Sequence, residues 1–498
     1  MGSLWIDTAG AEPTGPSDLL EPGAQVDAVV VGAGLTGLTT ALLLARAGRS
    51  VTVLESRTVG AVATGNTTGK LSLLQGQVAS EILSHHSSTM LQAYVEGNRE
   101  GQSWLLRYLE SHGVPVQQRD AFTYAATSDG IASIDDEFEA CRIAGLDVER
   151  LDDVGLPFRT RAGIRLADQA QFDPMDVLRT LADDVRRHGG TIVERTRVTG
   201  VRSGSPATVE TSGGELFASI VVLATGTPIL DRGLAFAKLR PLRSYAQAFR
   251  VPAESQPIPR GMYLSIDEPS RSLRTAPLAD GEALVVGGNG HPVGRERDTA
   301  AKVADLEAWT QRHFPGAVRT HAWSAQDYEP IHRVPYVGWL PRSGRTVAYA
   351  TGYNKWGMTN AVAAALSLAA EVLEGQMPWA ETLRDRATTV RDLASGAALS
   401  AEVGGELAQG WVSAELHPLP EDPPAEGEGV VGNRHLTPAA VSTVDGRVCT
   451  VSATCPHLGG IVTWNSAERS WDCPLHGSRF DAAGRLLEGP ATSDLEVL

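Results

Sequence analysis

Cys455-Pro-His457 and Cys473-Pro-Leu-His476 offer two thiols and two imidazoles from two short loops, with fifteen residues between His457 and Cys473. Cys and His are the ligand types that zinc and iron–sulfur clusters take. Structural zinc sites more often pair Cys with Cys in one loop and His with His in the other. Here each loop supplies one of each. That order suits a two-iron cluster in which one iron takes both Cys and the other both His. A zinc site and an empty remnant of a site are the alternatives.

A second constellation lies near the other end, at Gly32-Ala-Gly34-Leu-Thr-Gly37 with Glu55 eighteen residues on. Stepping outward, the apolar β-branched run Val26–Val31 reads as a buried parallel strand. Leu38 to Ala47 reads as a helix that Gly48 ends, and Ser50–Leu54 reads as the next strand. In that strand–turn–helix–strand frame, Gly32 and Gly34 let the backbone approach a pyrophosphate, and Gly37 lets helix and strand pack closely. The helix N-terminus offers free N–H groups to phosphate. Glu55 can accept hydrogen bonds from ribose hydroxyls and disfavours a 2′-phosphate, so FAD or NAD fits better than NADP. A purely structural glycine turn is the alternative.

The whole chain narrows the choices. Its 498 residues suggest two or three domains. A net charge of −16 gives little to attract a phosphate backbone, so nucleic acid is not an expected partner. Four cysteines, two of them in the cluster motif, make no disulfide framework and point to a reducing cytoplasm. Ala28–Ala45 is interrupted by Gly and Thr, and Ala361–Ala370 is too short to span a bilayer, so no membrane segment is expected. Residues 1–25 read as a flexible lead-in. The Pro-, Glu- and Gly-rich run 417–429 reads as a boundary between two separate cores, preceded by a polar helix-forming stretch strongest over Glu381–Ala398.

With its flanks Thr463-Trp464-Asn465, Trp471-Asp472 and Phe480-Asp481, the Cys–His run closely resembles a Rieske 2Fe–2S domain over about the last eighty residues. The resemblance implies metal ligation by Cys455, His457, Cys473 and His476. Gly460 and Leu475 stand where some members carry a further cysteine pair. Ser478 stands where high-potential members place a hydroxyl on a cluster sulfur, and Phe480 where they place a tyrosine. Hydrogen bonds to the sulfurs raise the potential, so one donor of two implies an intermediate value.

Upstream, Thr64-Gly-Asn-Thr-Thr-Gly-Lys70-Leu-Ser72, Phe172-Asp-Pro174, the Arg197-Val198 pair, Ala218–Gly226 and Thr346–Asn360 together resemble the FAD-dependent oxidoreductases of the D-amino-acid-oxidase (DAO) superfamily, over roughly residues 26–375. The resemblance implies FAD contacts at Gly32, Gly34, Gly37, Glu55, Val198, Gly226, Gly352 and Gly357. It also implies a helix N-terminus at the flavin ring, where a dipole stabilises anionic reduced flavin. Lys70, Asn354 and Lys355 are the candidate ring-side catalytic residues. The apolar runs Ala246–Phe249, Met262–Ile266 and Glu282–Val286 read as a sheet in a substrate domain spanning 235–345. His291, Arg295, Trp323, Tyr328, Arg333 and Tyr336 are candidates to face substrate there, a structural role being the commoner fate for each.

The expected architecture is therefore an α/β Rossmann-type FAD-binding domain with an inserted antiparallel-sheet substrate domain over 26–375. A helical linker over 376–416 and a small all-β Rieske domain over 417–498 follow. The expected function is oxidation of a small amine or amino-acid-like substrate by hydride transfer to flavin, with one-electron transfer through the cluster. The alternative is an electron-transfer flavoprotein or reductase component serving a partner protein, and in either case an external donor or acceptor protein is a possible partner. A Rieske oxygenase would need a mononuclear iron site after the cluster, and only 22 residues follow His476.

Overall fold

The computed structural model of the chain describes residues 1–10, 17–230, 232, 235–279, 281–386, 390–434 and 437–498. The nucleotide-side sheet has eight strands and is built around Gln25–Val31. That strand lies parallel between Gly214–Leu223 and Val51–Leu54, and Thr191–Val193 and Val347–Thr351 extend the parallel order on either side. Helix Leu35–Arg46, with Gly34 as its N-cap, starts inside the glycine motif, three residues before the expected Leu38, and ten of its twelve residues are buried. A strand and helix sealed on both faces can be apolar throughout, which is why these runs show no polar alternation.

The second sheet has nine strands, with Val318–Pro330, Leu239–Arg250 and Gly281–Pro292 side by side at one end. It is antiparallel except where Met262–Ser265 runs parallel to Gln117–Ala125. It also draws strands from 70–71, 117–125, 148–151 and 162–171, well upstream of the 235–345 stretch to which the sequence assigned it. The Rieske part holds a three-stranded and a four-stranded sheet, all antiparallel. Among the described residues, no helix is long and apolar enough to cross a membrane.

Three expectations need correction. Residues 1–25 are not a flexible lead-in over the described part at their start: Leu4–Ala9 is a helix whose Leu4 and Trp5 are buried in the main core. The amphipathic pattern of six residues is too short to reveal this in advance. The helix expected over Glu381–Ala398 is instead two, Pro378–Arg384 and Val390–Leu416, with 387–389 outside the described residues. Finally, the 417–429 run is not where the boundary falls: the Rieske part has its own core, but that core begins upstream of the run. The long helix packs Val403, Leu407, Trp411 and Ala414 into the Rieske core, while its Glu402 pairs with Arg240 and Arg295 of the flavin-side body.

Candidate active site and cluster loops

The glycine turn is shaped by close approaches. Gly32 adopts φ +104°, and a Cβ there would lie 2.5 Å from the Ala224 carbonyl oxygen. A Cβ on Gly37 would lie 1.9 Å from the Gly32 carbonyl oxygen, so only glycine permits the helix to begin this near the strand. Glu55 is buried; its Oε2 accepts from the Ala33 N–H at 2.9 Å and its Oε1 from the Arg57 N–H at 2.8 Å. Burial raises its pKa against those hydrogen bonds.

These residues open onto one long cavity lined by Gly32, Gly34, Glu55, Val198, Gly226, Gly352 and Gly357. Gly37 is the exception among the expected FAD glycines, and its place is in the helix–strand contact. Lys70, Tyr245, Gln326, Asp327, Tyr328, Lys355 and Trp356 also line it, as do Leu487, Glu488, Gly489 and Ala491 of the Rieske part. Helix Gly357–Val372 aims its start into this space and has no side-chain cap.

The loop expected beside the flavin is held from outside by its carbonyls. Ser3 Oγ donates to Gly65 O at 2.6 Å, Trp323 Nε1 to Asn66 O at 2.9 Å and Trp5 Nε1 to Thr67 O at 2.6 Å. Arg274 Nη1 donates to Thr68 O at 2.5 Å and Gly69 O at 2.9 Å. Five successive carbonyls are thus occupied, and Thr64, Asn66, Thr67 and Thr68 line the cavity.

Lys70 is buried, donating to Tyr263 O at 2.8 Å and to Ser272 Oγ. Burial, helped by Arg274, pushes its pKa down to about 7. Lys355 lines the cavity from the rim, exposed and at φ +70°. Asn354 is not among the lining residues; it adopts φ +47°, and its N–H donates to Tyr328 O at 3.2 Å. Of the six candidates for substrate contact, Tyr328 lines the cavity. Trp323 is spent on the Asn66 carbonyl, Arg295 on Glu402 and Pro474 O, and Arg333 on Glu329. His291 bonds Asn289 O, and Tyr336 lies under Arg386.

Sequence reasoning missed Asp327, Gln326, Tyr245 and the Leu487–Ala491 wall. No local motif marks them, since each is brought in by sheet register or domain docking. Asp327 Oδ1 accepts from the Tyr328 N–H at 2.7 Å, and burial raises its pKa to about 7. Among the described residues, Asp327 Oδ2, Gln326 Oε1 and Tyr245 Oη are buried without a hydrogen-bond partner. The glycine turn, Glu55 and the uncapped start of helix Gly357–Val372, all on one cavity, fit FAD.

The cluster loops bring like ligands together. The Cys455 and Cys473 thiols lie within hydrogen-bonding reach of each other. The His457 and His476 rings sit 5.1 Å apart and nearly perpendicular. Two adjacent thiols and two adjacent imidazoles fit a cluster with one all-Cys iron and one all-His iron. Ser478 Oγ accepts from the Ala491 N–H at 3.0 Å, and Phe480 is fully buried. His86, His332 and Asp392 also gather ligand atoms within 4.8 Å of one another. Burial, Arg386 and Lys238 hold His332 down to about 4, and those two cations oppose a metal ion there.

A family model for FAD dependent oxidoreductase (DAO) matches residues 27–371, and one for the Rieske [2Fe-2S] domain matches 420–498. The chain belongs to the DAO family of FAD-dependent oxidoreductases and carries a C-terminal Rieske domain. Its cofactors are FAD and a 2Fe–2S cluster. It is 29% identical over 485 residues, covering 96% of this chain and 94% of the other, to YhfW of Bacillus subtilis, described as a Rieske 2Fe-2S iron-sulfur protein. It is 24% identical over 378 residues to gamma-glutamylputrescine oxidoreductase of Escherichia coli, covering 74% and 88% of the two chains. The fold matches glycine oxidase from Geobacillus kaustophilus with a TM-score of 0.60 at 19% identity, over 71% of this chain and 96% of that one.

Proposed function

We propose that this oxidoreductase removes a hydride from the carbon beside a nitrogen in a small amine or amino-acid-like substrate and sends the electrons out singly through the cluster. Bound FAD supplies a two-electron hydride acceptor, and the Rieske cluster supplies a one-electron carrier. In the substrate a C–H bond breaks, the nitrogen lone pair closes a C=N bond, and the nitrogen proton leaves to solvent. The two electrons end on one-electron acceptors outside the chain. The amine class rests on the gamma-glutamylputrescine oxidoreductase likeness.

Such oxidation needs mainly orientation. Lys70 and Lys355 are proposed to position substrate from the cavity wall, and Asn354 to shape the loop between Tyr328 and Lys355. An acceptor would approach at Pro456–Gly459, where Leu458 is 43% exposed beside the half-buried His457. Cys141 and Cys449, the two cysteines outside the cluster loops, form no disulfide, in keeping with the reducing, cytoplasmic setting proposed here.

One observation carries the reading. Gln326 Nε2 donates to Gly477 O, next to ligand His476, and to Tyr328 Oη on the cavity wall, each at 2.8 Å. The cluster loop is one side chain away from the cofactor space. Amines and amino acids screened with artificial one-electron acceptors, and with oxygen alone, should give turnover with the former. A stopped-flow trace with an active substrate, without oxygen, should show flavin bleaching and then cluster reduction at a rate independent of protein concentration. A cluster that stays oxidised beside fully reduced flavin would reject the reading in favour of a domain serving an outside donor.

A further inference from the structure

The contact between the Rieske part and the flavin-side body is built around one arginine. Arg243, on strand Leu239–Arg250, is 3% exposed. Its Nε and Nη2 clamp Glu468 at 2.5 and 2.6 Å, and its Nη1 reaches Glu488 at 3.3 Å. Both acids belong to the Rieske part. Arg479 shares the same oxygens, at 2.8 Å to Glu468 Oε2 and 2.7 Å to Glu488 Oε1, and holds Asp472 at 3.0 Å. Burial works against the charged form of Glu468, yet Arg243 and Arg479 hold it well below the usual carboxylate range. Without Arg243, three buried carboxylates would face a single guanidinium.

The same contact forms part of the wall of the FAD cavity. Glu488 belongs to the charge network and lines that cavity, and Gly489 and Ala491 line it beside Glu488. Arg197 Nη2 donates to Leu486 O at 2.9 Å from the nucleotide side. The cluster loop is pressed equally close: a Cβ on Gly477 would lie 2.6 Å from Pro241 Cβ, and one on Gly294 would lie 2.7 Å from Pro474 N. A carrier domain that swung away at each turnover would expose these buried charges every time.

We propose that the Rieske domain is a fixed, latched door of the FAD pocket. Arg243 is the latch, Gln326 fixes the cluster loop against the pocket wall, and FAD leaves only when the domain undocks. Neither residue is a ligand of iron, so both can be changed without touching the cluster's own bonds. The inference rests on the FAD and cluster assignments and on no choice of substrate, so failure of the amine reading leaves it standing.

The test uses holoprotein and needs no substrate. After dilution, FAD release is followed by the rise of its fluorescence, and hydrogen exchange is followed in 472–478 and 486–491. In the unaltered protein both segments should exchange slowly and FAD should be retained. Arg243→Met should release FAD more than tenfold faster and speed exchange in both segments, with iron content and the cluster spectrum unchanged. Gln326→Met leaves the charge network intact and should speed exchange in 472–478 with a smaller gain in FAD release. It also decides the matter if Arg243→Met does not fold. Rapid exchange in the unaltered protein would overturn the latch. Faster exchange in either variant with unchanged FAD release would overturn the door.

Discussion

Lys70 shows how a buried residue of a loop motif acquires chemistry from distant strands. Its Nζ meets Tyr263 and Ser272, roughly two hundred residues away in the chain, and burial lowers its pKa from 10.5 to about 7. A lysine with a depressed folded pKa binds fewer protons than its unfolded counterpart between those two values. Stability should therefore rise with pH from about 7 to about 10.5 and be flat in this contribution below 7. Urea unfolding of the holoprotein across that range should show the rise, and Lys70→Met should remove it. An identical slope in the variant would mean the amine is charged in the folded protein. The residue scale also explains why Asp327 escaped notice. An aspartate in the strand Val318–Pro330 looks like any solvent-facing strand residue until the register with Leu242 sets it against the cavity.

At the scale of elements, the N-terminal helix Leu4–Ala9 acts as a bracket for the flavin-side loop. Trp5 is 2% exposed, packs edge-on against Trp323 at 6.4 Å, and donates to the Thr67 carbonyl. The two tryptophans and Ser3 hold three consecutive carbonyls, and Arg274, lying over the Trp5 ring at 5.0 Å, holds the next two. Truncating a buried tryptophan costs about 3–5 kcal/mol through lost contacts and the cavity left behind. Trp5→Ala should lower unfolding free energy by that amount in denaturant titration. It should also weaken FAD retention, because the freed Thr67 carbonyl loosens the loop. A loss of stability with FAD retained as before would reduce the helix to packing alone.

At the scale of the molecule, the flavin-side body, the long helix Val390–Leu416 and the Rieske part share buried contacts, and the 417–429 run is a surface connection between parts that already touch. A buried charge network and a shared cavity wall make the two units cooperative, since separating them leaves unpaired carboxylates. Thermal unfolding should therefore show one transition, with flavin and cluster absorbance lost together. Two resolved transitions, the cluster persisting past the loss of flavin, would show that the interface is too weak to couple them.

Local chemistry was legible in the order of residues alone. The glycine turn with Glu55, the four cluster ligands and the apolar parallel strands each depend on neighbours within one supersecondary unit, whose geometry the backbone and the spacing of residues dictate. Gly32, Gly34, Gly226, Gly352 and Gly357 accordingly line one cavity, with Gly37 in the helix–strand contact, and the two His rings of the Cys–His loops lie side by side. What only the tertiary structure decided lies between units. It recruits Leu4–Ala9 to the flavin loop, and strands from 70–171 into the second sheet. It puts Gln326 against Gly477 and makes Glu488 a wall of the FAD pocket. These contacts join positions tens to hundreds of residues apart. They arise from register and docking of surfaces, where burial and charge pairing select among arrangements that no short stretch of sequence distinguishes.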